Sequence, residues 1–124
     1  MFKSTTIIKY LEDVDEVYAF VDKQLVLYYR ALVPKYIPLN KQRYDPHISV
    51  VRKEIIIDKT NWNKYNNKEV EFEYTNDIGN NDLYYWINVK CDFLCEIRQS
   101  LNLSRTTPWE NKFHITIGNV KDIP

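Results

Sequence analysis

A chain of 124 residues with 44% hydrophobic and 27% charged residues has the balance of a globular protein, with length for one domain and a modest core. Seventeen basic residues meet seventeen acidic ones, which argues against nonspecific gripping of long nucleic acid and favours a small or locally recognised ligand. No apolar run approaches the twenty or so residues of a membrane span, and the N-terminus turns acidic at "LEDVDE" before a signal-peptide core is complete, so a cytoplasmic protein is expected, in the host cytoplasm if the chain is viral.

Phe2 to Leu11, "FKSTTIIKYL", is rich in β-branched residues and predicts a strand. Asp13 or Asp15 then predicts a helix N-cap, and Val14, Val17, Val21, Leu25, Tyr28 and Leu32 step by three and four along an amphipathic helix. Pro34 and Pro38 end it. Tyr44 to Ile57 predicts one or two strands. Glu69 to Thr75 and Leu83 to Val89 predict a hairpin across "NDIGNND", with Gly79 free to take positive φ. Trp86 in the second of these strands reads as core. In "CDFLCEIRQSL", Leu94, Ile97 and Leu101 fall at helical spacing. Cys91 and Cys95 within it fit neither a CxxC motif nor a disulfide framework and read as reduced thiols. "FHITIGNV" predicts a last strand, closed by Gly118. Strand, helix and histidine-bearing strand thus occur at residues 2–51 and again at 83–120, as two unequal halves of one α+β domain over residues 1–124.

The two histidines of the chain lie in matching contexts, "PHISV" and "FHITI". Residues two apart on a strand share a face, so His47 joins Ser49 and His114 joins Thr116, while Ile48, Val50, Ile115 and Ile117 turn to the other side. If the halves are related by pseudo-symmetry, two imidazoles and two hydroxyls converge on one cleft. That set suits phosphodiester chemistry. A neutral imidazole takes a proton from an attacking hydroxyl or water, and a protonated one gives a proton to the leaving oxygen. The hydroxyls donate to non-bridging phosphate oxygens. No metal and no cofactor is called for.

These H-I-S-V and H-I-T-I segments resemble the paired Hx[ST]x signatures of the 2H phosphoesterase superfamily. The resemblance implies a metal-independent enzyme with a bilobal, duplicated α+β fold, antiparallel-rich sheets, outer helices, and His47, Ser49, His114 and Thr116 facing one cleft as the active residues. In size and in its Ile-, Asn-, Lys- and Tyr-rich composition the chain looks most like small phage phosphodiesterases that degrade the cyclic oligonucleotide signals of CBASS immunity. It thereby implies a cyclic nucleotide or oligonucleotide substrate. Two alternatives remain: processing of RNA ends at 2′,3′-cyclic phosphates or 2′-5′ linkages, and sequestration of nucleotides without turnover. Tyr44 and Trp109 are candidate base platforms near the motifs. Arg43 and Lys112, with Arg52 and Lys53, flank them and are candidates to attract phosphate. Glu110 is a weaker candidate for a base edge or ribose.

Overall fold

The computed structural model describes residues 1–108 and 112–121. In chain order these form β1 (Phe2–Leu11), β2 (Glu16–Phe20), α1 (Lys23–Leu32), β3 (His47–Val51), β4 (Glu69–Asn80), β5 (Tyr84–Lys90), α2 (Asp92–Ser100) and β6 (Phe113–Asn119). The expected α+β class is what the structure shows. Its six strands close into one antiparallel barrel in the order β1-β2-β3-β6-β5-β4. Separate lobes are not distinguished in this ring.

The main departure from the expected elements is β2. Glu16–Phe20 was predicted as the first turns of a helix and is a strand, because Val17 and Ala19 alternate inward while Tyr18 and Phe20 turn out. The acidic residues before it make the β1–β2 turn, where Asp15 takes a φ of 52°. The true N-cap is Asp22, whose carboxylate accepts from the Gln24 N–H at 2.9 Å. The buried stripe of α1 is Val26 and Tyr29, one residue beyond the predicted Leu25 and Tyr28; Tyr28 and Leu32 face solvent. The predicted strand over residues 44–57 shrinks to β3, and Ile55 and Ile57 beyond it are exposed.

With β2 in place the halves match: β1-β2-α1-β3 is followed by β4-β5-α2-β6. β3 and β6 meet at the centre of the sheet order, and β1 closes the ring by pairing with β2 through its second half and with β4 through its first. One face of the strands is the core. Ile8, Val17, Ala19, Ile48, Ile87 and Ile115 are wholly buried there with Val26 of α1 and Leu94 and Ile97 of α2.

Each motif strand carries one extra residue, and each extra carbonyl is held by the other half. On β3, Val50 falls between the Val17–Val51 and Tyr18–Ser49 pairs, and its carbonyl accepts from Arg98 Nη1 of α2 at 2.8 Å. On β6, Ile117 falls between the Tyr85–Gly118 and Trp86–Thr116 pairs, and its carbonyl accepts from Arg30 Nη1 of α1 at 2.8 Å. A bulge withdraws a backbone group from the strand ladder, and a buried carbonyl needs a donor. The helix of each half supplies it to the other. Arg98 is fully buried, with a two-pronged pair to Glu54 at 2.6 and 2.8 Å and a bond to the Ser104 carbonyl at 2.7 Å.

The two glycines are strand residues without positive φ. A Cβ at Gly118 would stand 2.8 Å from Arg30 Nη1, and one at Gly79 2.6 Å from Trp86 Nε1. The left-handed residue expected at Gly79 is Asp82, in a turn where Asn81 Oδ1 accepts from the N–H groups of Leu83 and Tyr84.

Candidate active site

Ile48 of β3 lies directly across from Ile115 of β6. Extending that antiparallel register one residue each way sets His47 across from Thr116 and Ser49 across from His114. Both isoleucines are wholly buried, so the four residues of the paired motifs share the opposite, open face. Opposed residues on such strands stand about 5 Å apart at Cβ and diagonal ones about 7 Å. The two imidazoles are diagonal, a spacing that one phosphate spans with a hydrogen bond on each side. His47, Ser49 and His114 are half-buried and Thr116 is exposed.

His47 is held on several sides. Its Nδ1 lies 2.9 Å from the Asp45 carbonyl. The Tyr18 ring stacks on the imidazole, with centroids 4.0 Å apart and planes within 7°. Phe20 meets it edge-on at 5.8 Å. This follows from the β2–β3 register, in which Tyr18 faces Ser49 and Phe20 faces His47. The Tyr18 hydroxyl donates to Glu16 Oε1 at 2.9 Å, and Glu16 Oε2 accepts from the Lys53 N–H at 3.2 Å. Burial, and then the Glu16 carboxylate, push the Tyr18 phenol up to about 12, so it keeps its proton. Burial also lowers the pKa of His47 below the ordinary histidine value. The positive charges of Arg52 and His114 push the same way, against the Asp45 carbonyl and Glu16.

His114 has the Trp86 ring at 6.4 Å, tilted 65°. Trp86, predicted as core, is half-buried on the open face, because it pairs with Thr116 on one side and Gly79 on the other. Tyr44 is exposed, three residues before His47. Arg52, exposed after β3, acts on both His47 and Tyr18. Arg43 and Lys112 are exposed. Trp109 and Glu110 lie outside the described residues. Tyr18 and Glu16 were missed as site residues. The alternation in "EVYAF", with Tyr18 and Phe20 on the side opposite Val17 and Ala19, was the signal that would have found them.

A groove of about 460 Å³ lies away from both motifs, between Phe2 and Ser4 of β1, Gln24 and Tyr28 of α1, and Tyr74 and Asn76 of β4. Neither histidine lines it. Among the described residues no three of His, Cys, Asp and Glu gather as a metal-ligand set, and no helix is long and apolar enough to cross a membrane.

Two histidine-hydroxyl pairs thus stand on adjacent strands of one antiparallel ring. The family model of the Swiss Army Knife 2H phosphoesterase domain matches residues 10–122, and the chain belongs to that family. Membership implies phosphoesterase activity on a substrate containing a phosphoester. No curated protein and no solved structure matches the chain.

Proposed function

We propose that this protein is a metal-independent phosphodiesterase that cleaves cyclic nucleotides or short cyclic oligonucleotides, as a phage would use against CBASS signalling. His47 and His114 are its acid/base pair. The observation that carries the reading is the β3–β6 register, which sets two imidazoles and two hydroxyls on neighbouring positions of one face. The equal element order of the two halves supports the duplicated core that the family resemblance implies.

In the reaction, one imidazole removes the proton of a ribose hydroxyl or a water as that oxygen attacks phosphorus. The other imidazole protonates the oxygen that leaves, so one proton enters the enzyme and one departs. Ser49 and Thr116 donate hydrogen bonds to the non-bridging oxygens as charge builds on them. The exposed Tyr44 offers a base platform, and Arg43, Arg52 and Lys112 add positive charge for an anionic substrate.

The test is a nucleotide panel read by chromatography of products: cyclic di- and trinucleotides, 2′,3′-cyclic nucleotides and 2′-5′ oligonucleotides. Linear products from the cyclic oligonucleotides are expected. Products from the RNA-end substrates alone would shift the assignment to RNA processing, and binding without product would make the protein a nucleotide sponge.

A further inference from the structure

We propose that Tyr18 is a positioning residue for His47, holding its imidazole in the plane and tautomer that turn Nε2 to the substrate. The inference rests on the two-histidine reading and deepens it by naming the residue that holds one imidazole in place.

The argument starts at the Nδ1 contact. A carbonyl oxygen only accepts hydrogen bonds, so the 2.9 Å contact from Nδ1 to the Asp45 carbonyl places the proton of the neutral ring on Nδ1. Nε2 is then the bare nitrogen, with its lone pair available. The Tyr18 ring lies parallel on the imidazole at 4.0 Å and fixes its plane. Tyr18 is in turn fixed by its hydroxyl on Glu16, and Glu16 by the Lys53 N–H. His47 thus has its proton position and its ring plane set by neighbours, with Nε2 left for the reaction.

A stacked ring has two opposed effects. Its π face attracts a cation and favours the protonated imidazole. It also keeps water off that face and favours the neutral one. The groups around His47 decide the balance. Glu16 of β2 favours the proton, while Arg52 after β3 and His114 of β6 oppose it. The Asp45 carboxylate is engaged with Lys23 at 3.2 Å. Burial is the largest influence, and the net direction is downward, toward a neutral ring at neutral pH.

The test is nitrogen-resolved NMR of the histidine rings in the intact protein, as wild type, Tyr18→Ala and Tyr18→Phe. The pH profile of kcat/KM is measured beside it, with cyclic dinucleotides and 2′,3′-cyclic nucleotides as probes. The wild type should show the Nδ1–H tautomer at His47. Tyr18→Ala should raise the His47 pKa and move the limb of the profile that follows His47 by the same shift. Tyr18→Phe, which keeps the stacked ring and loses only the tie to Glu16, should move both less than Tyr18→Ala. The Nε2–H tautomer in the wild type would overturn the proposal, whatever the variants do. So would a His47 titration unmoved in Tyr18→Ala. If none of the probes is cleaved, the phosphodiesterase reading itself falls; turnover with an unmoved His47 sinks only the role given to Tyr18.

Discussion

His47 and His114 share a motif and differ in the aromatic rings beside them. One lies under Tyr18 with its Nδ1 tied to a backbone carbonyl, and the other stands edge-on to Trp86. Both are needed if one accepts and one donates a proton. Replacing either by Ala should therefore lower turnover by about a hundredfold or more, and the double variant should lose less than the product of the single losses. Ser49→Ala and Thr116→Val, each removing one phosphate donor, should cost less than either histidine change. Steady-state rates on a cleaved nucleotide measure all of these, and wild-type rates in both single histidine variants would end the two-histidine mechanism. The setting of His47 also shapes stability. Its folded pKa lies below the unfolded value of about 6.5. Between the two values the unfolded chain binds more protons, so stability rises with pH through this window and is lost as pH falls through the folded value. His47→Asn should flatten that acid-side slope in a series of thermal midpoints. An equally steep slope in the variant would assign the acid loss to other groups. That each histidine shares a strand face with its hydroxyl residue was legible in the sequence, because strand alternation needs only positions two apart. Trp86 was misplaced although the signal was local: it shares a face with Asn88, while Tyr85, Ile87 and Val89 take the buried one.

At the scale of elements, α2, β5 and β6 were legible and β2 was not. Val14, Val17 and Val21 are spaced by three and four only because a turn residue, an inward strand residue and a post-strand residue fall at those positions. The five residues of β2 carry just two inward side chains, Val17 and Ala19, too short an alternation to outweigh a longer helical pattern. That error also hid the equality of the halves. The arginine ties were beyond sequence reading, since Val50 needs Arg98 and Ile117 needs Arg30 across long separations. They make a sharp prediction. Arg98→Ala strands the Glu54 carboxylate and leaves the Val50 and Ser104 carbonyls without this donor, and should cost about 3 kcal/mol or more in denaturant unfolding. Arg98→Lys should recover little of it, because an ammonium cannot reproduce the planar fork. Changing both partners, Arg98→Met with Glu54→Gln, should cost less than Arg98→Ala alone. A neutral Arg98→Ala would mean that the bulge carbonyl and the carboxylate find water instead.

The whole molecule is a ring whose closure no local pattern announces. β1 reaches β4 and β3 reaches β6 across much of the chain. If the two histidines on that ring serve as proton donor and acceptor, turnover should persist in excess EDTA; complete loss restored by one divalent ion would require a different chemistry. The same connectivity bears on folding. Each half places its motif strand against the other's, and α1 and α2 each grip the opposite motif strand through an arginine. A half on its own would keep a hairpin and a helix but would expose one edge of β3 or β6, strip the core from Ile48 or Ile115, and leave a helix arginine without its carbonyl. None of those losses is local, so neither half has a stable fold to fall back on. Unfolding of the whole chain should be one cooperative transition, with calorimetric and van't Hoff enthalpies in agreement. Residues 1–58 and 59–124 made as separate peptides should each lack a thermal transition by circular dichroism, and should regain one on mixing, since the cut falls in the turns between Asp58 and Lys68 and breaks no strand. A transition in either peptide alone would show that the two halves are separate folding units and that the crossed arginine ties join structures already formed.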